Sequence, residues 1–226
     1  MARQLTFDLP TLQALGRDDF FVSPTNAGAV AMIEHWQSWP ARKLLLIGPE
    51  GAGKTHLAHV WAGLSGATLL EASALREADI PRLARGSVAV ENIPEIAANP
   101  DAQNALFHLH NLTLAEGHSL LFTATGEAQT WGLTLPDLTS RMQGTPAVAL
   151  GAPDDALLAA VLMKLFADRQ LSPRPEVLAY LTKHMERSFA AARALVQEID
   201  SLALSEGRDV SRKLAAEVLD KQAELF

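Results

Sequence analysis

The sequence has no cysteine, one tyrosine and 6% aromatic residues in a chain of 226. Without thiols it builds neither a disulfide framework nor a thiolate metal site, and this usage fits a reducing compartment. Positive charge is scarce as well, with 19 Lys and Arg against 26 Asp and Glu and a formal charge of −7. That sign opposes an affinity built on neutralising many phosphates, so no strong direct nucleic-acid binding is expected. Long apolar runs are missing. The opening Met1-Ala2-Arg3-Gln4-Leu5-Thr6-Phe7-Asp8 carries no signal-peptide block, and Leu44-Leu45-Leu46-Ile47 falls far short of the ~20 residues of a membrane span, so a cytoplasmic chain with no membrane partner is expected. What is present is 48% hydrophobic and 20% charged residues. That is a globular balance, and at this length folding hides roughly 70% of the extended surface.

The periodicity changes class along the chain. Lys43 to Ile47 is apolar without alternation and stops at Gly48, which predicts a strand buried on both faces. From Lys54, Leu57, Ala58, Trp61, Ala62 and Leu64 recur at helical spacing up to the Ser65-Gly66 break. Ala67 to Glu71, Ser87 to Val90, Ser119 to Ala124 and Ala147 to Leu150 read as further strands, with a helix over Ala102 to Glu116. Strands alternating with helices predict an α/β unit, a parallel five-stranded sheet flanked by helices. After Gly151-Ala152-Pro153 the strand signals stop. Helices are expected over Asp154 to Arg169, Pro175 to Met185, Phe189 to Glu206 and Ser211 to about Lys221, with Asp154 and Ser188 as starts. Residues 13–151 therefore read as the α/β unit and 152–226 as a small all-helical one.

Gly48-Pro49-Glu50-Gly51-Ala52-Gly53-Lys54-Thr55 matches G-x-x-x-x-G-K-[ST] between a buried strand and a helix, the context that this phosphate-binding loop requires. Glycines let backbone N–H groups converge on phosphate oxygens, Lys54 reaches the terminal phosphates, and Thr55 ligates Mg²⁺. An acidic residue at the end of another strand completes a metal site, and Glu91 in Ser87-Val88-Ala89-Val90-Glu91-Asn92 fits. Asn92 follows, where a hydrolysing enzyme of this layout places a carboxylate. An amide cannot act as a general base, so slow turnover is expected; the alternative is that Asn92 only caps the turn before Ile93-Pro94.

These motifs bring a family into view. Gly53-Lys54-Thr55-His56-Leu57 with Ala58-His59 resembles the nucleotide loop of DnaA-type AAA+ proteins. Asp19-Phe20-Phe21-Val22 with Asn26 is similar to the segment those proteins place beside adenine. Asn at the second acidic position, in Glu91-Asn92-Ile93, resembles the Hda family of DnaA-related regulators. The resemblance implies a P-loop AAA+ domain followed by a helical lid, with ADP or ATP and Mg²⁺ as cofactors. It places Phe20, Phe21, Val22, His56 and a sensor II arginine, Arg193, at the nucleotide, and a sensor I position at Thr123. Leu135-Pro136-Asp137-Leu138-Thr139-Ser140-Arg141 is similar to the segment ending in an arginine finger. Arg141 would then act catalytically in trans on ATP held by the DnaA initiator, a role worth roughly 10³ to 10⁵ in rate. A surface arginine of no special role is the alternative, as an ordinary helix charge is for Arg193.

The segment 1–12 carries Gln4, Leu5, Phe7 and Leu9, which resemble the short motif by which bacterial proteins dock on the DNA polymerase sliding clamp. Alternate apolar anchors on an extended peptide suit a groove, although a strand packed on its own domain is possible. Gln222-Ala223-Glu224-Leu225-Phe226 has similar residues, with packing on the lid favoured. His108 and His110 face about 200° apart on a helix and do not share a metal. Trp36, Trp39, Trp61 and Trp131 are scattered and read as packing. The expected function is a regulator that holds adenine nucleotide, docks on the clamp and silences an initiator, with homo-oligomerisation possible. The rival readings are a DnaA-like initiator or helicase loader acting on DNA, for which a DNA-binding module after the lid is expected but no such module follows up to Phe226, and a small-molecule P-loop kinase.

Overall fold

The computed structural model describes residues 15–223. Gln4, Leu5, Phe7 and Leu9, for which clamp docking is expected, and the tail 224–226 lie outside them, as do the side chains of 222 and 223. Five parallel strands, β1 (Lys43–Ile47), β2 (Thr68–Glu71), β3 (Val88–Glu91), β4 (Leu120–Ala124) and β5 (Ala147–Ala149), form one sheet in the order β2-β3-β4-β1-β5. The helices of the sheet unit are α1 (Ala27–Glu34), α2 (Lys54–Ser65), α3 (Ile80–Leu83), α4 (Pro100–Ala115) and α5 (Pro136–Gln143). Four more follow the sheet: α6 (Asp155–Asp168), α7 (Pro175–His184), α8 (Phe189–Glu206) and α9 (Arg212–Ala223).

Because successive strand residues point to opposite faces, each central strand feeds two cores. Leu44 and Leu46 of β1, Ala89 of β3 and Leu121 of β4 pack with α1 and α2 on one face. Leu45, Val88, Val90, Leu120, Phe122 and Ala124 pack with α4 and α5 on the other. This is why those strands read as unbroken apolar runs. The outer strands differ from the expectation: β2 is exposed at Thr68 and Glu71 and β5 at Ala147 and Ala149, since an edge strand has fewer covering neighbours.

The tryptophans correct the sequence reading. Three of the four are not scattered: Trp39 stacks on Trp61 at 5.2 Å between centroids, and Trp36 meets Trp61 edge-on at 6.3 Å. Distant positions converge because α2 and the turns before β1 cover the same sheet face. Beyond Gly151, Leu158, Leu162, Phe166, Leu181, Leu195, Val196, Ile199 and Leu214 form a third core between α6, α7, α8 and α9. Asp154 and Ser188 accept the backbone N–H of Leu157 (2.8 Å) and Ala191 (3.0 Å), so the expected N-caps are formed. Among the described residues no helix is long and apolar enough to cross a membrane.

Candidate functional site

The loop between β1 and α2 lies at the carboxyl ends of the strands, where the order reverses across β1 and β4 and open parallel sheets form their ligand crevices. Its conformation depends on glycine at two points. Gly51 has φ +79° and Gly53 φ +96°. A Cβ on Gly53 would also stand 2.8 Å from the Phe20 ring, and one on Gly51 2.8 Å from Cβ of Phe189 on α8. The loop is thus clasped by the segment before α1 on one side and by the helical unit on the other.

Around it opens a cleft of about 560 Å³, lined from the loop by Glu50, Gly51, Ala52, Gly53, Lys54, Thr55 and His56. This volume suits a small organic ligand. Phe20, Phe21, Asn92, Phe189 and Arg193 line it too, which brings together residues far apart in sequence. Gly48, Pro49, Val22, Glu91 and Arg141 are not on its wall. Gly48 is packed against Leu150, and Pro49 faces the site through its carbonyl. Val22 turns outward at 40% exposure. Sequence reasoning missed the opposite wall, Leu157, Ala160, Val161, Lys164, Leu165 and Asp168. The signal was there as a stripe at helical spacing along α6, but periodicity alone does not tell a cleft wall from a core face.

Lys54 is buried, and its Nζ donates to the carbonyls of Gly48 (2.8 Å) and Pro49 (2.9 Å). Burial lowers its pKa, against the opposing pull of Glu50 and Glu91. A phosphate entering the loop meets an ammonium that is already desolvated and tethered. Glu91 is 3% exposed and its Oε2 has no hydrogen-bond partner. Burial raises its pKa, the nearby Thr55 hydroxyl lowers it, and Glu71 raises it again. A buried orphan carboxylate oxygen beside a hydroxyl is a donor set that a hard divalent cation satisfies, so these residues fit Mg²⁺.

Asn92 has φ +58°, a conformation that asparagine tolerates. Its backbone N–H donates to Thr123 Oγ1 at 3.1 Å and its side-chain Nδ2 to Glu71 Oε2 at 3.0 Å. It stands at the head of the 3₁₀ turn Ile93–Ile96 but gives that turn no side-chain cap, so the capping alternative is not what the amide does. Thr123 is fully buried beneath it, outside the cleft wall.

The flanking strap is built by short polar contacts. Asn26, 3% exposed, accepts from the Ser23 N–H and donates to the Phe21 carbonyl, both at 2.9 Å, which fixes Phe21 at the cleft. His56 Nε2 meets the Gly16 carbonyl at 2.8 Å, and its ring is edge-on to Phe20 at 5.1 Å. Burial lowers the His56 pKa, more than the Gly16 contact raises it. From the other side Arg193 Nη1 approaches Glu50 Oε1 at 3.8 Å. Arg141 is exposed on the last turn of α5, close enough to Lys43 and His110 to add to the lowering that burial imposes on both pKa values, and so near the amino end of β1, opposite the cleft. His108 is exposed and His110 buried, and no group of three or more His, Asp or Glu with metal-holding geometry occurs among the described residues.

No family model matches the sequence, and no curated protein is significantly similar to it in sequence. Solved structures do match in shape. Domain III of the replication initiation protein DnaA from Thermotoga maritima superposes with a TM-score of 0.74 at 17% identity, over 94% of this chain and 98% of that one. AMPPCP-bound DnaA from Aquifex aeolicus gives 0.68 at 16% identity, over 92% and 69%. The FIGL-1 AAA domain in complex with ADP gives 0.63 at 14% identity, over 84% and 76%. A five-stranded parallel sheet with flanking helices, a P-loop after its first strand and helices packed behind that loop make this chain an example of the AAA+ fold, in the form seen in domain III of DnaA.

Proposed function

We propose that the chain is an Hda-like regulator of replication initiation that holds an adenine nucleotide, ADP or ATP, and hydrolyses it slowly. The single observation that carries this reading is Asn92. A complete phosphate loop, a buried carboxylate with one unpartnered oxygen and a cleft of mixed polar and apolar lining meet at a position where the side chain is an amide, hydrogen-bonded to Glu71 and unable to take a proton from water. The two solved neighbours with AMPPCP and ADP support an adenylate as ligand.

In this reading residues 13–151 hold the nucleotide and 152–226 form the lid. The loop N–H groups and Lys54 hold the phosphates, Phe20 and Phe21 with the α6 stripe enclose the base, and Arg193 reaches the phosphate end from α8. Thr55 and Glu91 would hold Mg²⁺, which when bound neutralises phosphate charge. The chain docks on the sliding clamp through Gln4, Leu5, Phe7 and Leu9. Arg141, opposite its own cleft and exposed, is offered to the ATP of a DnaA subunit. Steady-state ATP hydrolysis by DnaA, measured with clamp and this chain, tests the reading. Arg141→Ala is expected to abolish the stimulation and Gln4→Ala to make it independent of clamp. Stimulation unaffected by Arg141→Ala refutes the trans role, and tight, salt-sensitive duplex binding would instead favour an initiator or loader acting on DNA.

A further inference from the structure

Gln103, on the first turn of α4, is fully buried, and its amide is used on every side. Nε2 donates to the carbonyls of Ile96 (3.1 Å) and Ala97 (2.8 Å), at the end of the turn that follows Glu91 and Asn92. Oε1 accepts the backbone N–H groups of Thr134 (2.9 Å) and Leu135 (3.0 Å) and faces the Thr134 hydroxyl at 3.4 Å. Leu135 is the N-cap residue of α5, has no capping side chain, and is followed by Pro136, which has no N–H. Gln103 therefore holds the entry to α5 from another helix, by accepting the backbone N–H groups of the N-cap residue Leu135 and of Thr134 before it rather than those of the first helical turn.

The arrangement has one sense only. With the amide turned over, an NH₂ would face two N–H groups and an oxygen two carbonyls, all out of water. A buried network satisfied at each atom holds its members in fixed relation, and this one joins two pieces of the molecule with different tasks. One piece is the turn behind Glu91 and Asn92 in the nucleotide site. The other is α5, anchored in the core by Leu138 and Met142 and carrying Arg141 outward on its last turn.

We infer that Gln103 is a positioning residue that ties the Arg141 helix to the turn behind the chain's own nucleotide site, so that Arg141 is presented in one fixed orientation. The inference rests on the trans role proposed above for Arg141. Its test uses the full chain with Gln103→Met, Gln103→Glu, Arg141→Ala and the double variant Gln103→Met/Arg141→Ala. Three quantities are read: DnaA-bound ATP hydrolysis at saturating DnaA, hydrogen exchange of residues 133–143, and ADP affinity by calorimetry.

Gln103→Met is expected to lower the stimulated rate by about 10- to 100-fold, the scale of an ångström-level misplacement of a reacting group. The double variant should be no slower than Arg141→Ala alone, because a misplaced group and a deleted one cannot both be lost. Segment 133–143 should exchange about tenfold faster while β1 and β4 stay protected, with ADP affinity unchanged. Gln103→Glu keeps the acceptor and loses the donors when ionised, so its defect should ease as pH falls and the carboxyl regains a proton. Unchanged exchange over 133–143 in both Gln103 variants overturns the inference, whatever DnaA does. Exchange accelerated uniformly over the whole chain overturns it too, as mere loss of stability. Local acceleration together with an Arg141→Ala variant that still stimulates DnaA upholds the Gln103 tie and refutes the trans reading alone.

Discussion

Replacing Asn92 by aspartate looks like the direct way to restore a hydrolytic carboxylate, yet the structure argues that the single change fails. Asn92 Nδ2 lies 3.0 Å from Glu71 Oε2, and Glu71 and Glu91 are paired residues at the ends of β2 and β3. Asn92→Asp turns a donor into a second carboxylate at that distance. Glu71 is exposed, so a water-like dielectric applies, and two unit charges 3 Å apart then repel by about 1.4 kcal/mol, or about one pKa unit. With the lost hydrogen bond the cost is about 2 kcal/mol, which in a chain of this size lowers Tm by roughly 4–8 °C. The introduced carboxylate is driven off Glu71 and loses the contact that fixes the amide, so it is not held in the single position that a general base needs. Glu71→Gln, added to Asn92→Asp, removes the repulsion and supplies an amide donor to hold the new carboxylate in place. Single-turnover ATP hydrolysis by the purified chain with Mg²⁺ is expected to rise by about 100-fold in the double variant, the lower end of general-base effects, and little in either single one. Asn92→Asp alone turning over as fast as the double variant, or the double variant no faster than the parent, would refute the reasoning.

Two further outcomes are expected. His110 is 2% exposed and burial lowers its pKa to about 4 from the ordinary 6.5. Below pH 6.5 the unfolded chain takes up a proton that the folded one refuses, so stability falls as pH drops from about 6.5 to about 4, by up to about 3 kcal/mol from this group. Denaturant titrations across that window should show the slope, and His110→Gln should flatten it; an unchanged slope in the variant refutes the assignment. Gly53→Ala forces a left-handed backbone onto alanine and drives its methyl into Phe20, so it should cost about 1–3 kcal/mol and weaken ADP binding. Thermal unfolding and calorimetry check both, and an unshifted Tm would show that the loop relaxes freely.

The sequence by itself was enough for the strand, loop and helix at residues 43–65. An apolar run buried on both faces, glycines at left-handed positions and a 3.6-residue stripe are local properties, and each survives folding because its neighbours in sequence cause it. The helices after Gly151 were legible for the same reason, down to the caps at Asp154 and Ser188. What tertiary structure decided is which distant groups meet. Glu71 and Asn92 are 21 residues apart, and only the parallel register of β2 and β3 sets the carboxylate beside the amide. Gln103 reads as one polar residue on an amphipathic helix until α4 carries it between two loops whose backbone groups it satisfies. The α6 stripe is indistinguishable from a core face until the packing of the helical unit turns it toward the phosphate loop. Local pattern sets the elements because backbone sterics and periodicity act over a few residues. The site depends on close contact between side chains, which the chain gains only when sheet and helices are assembled.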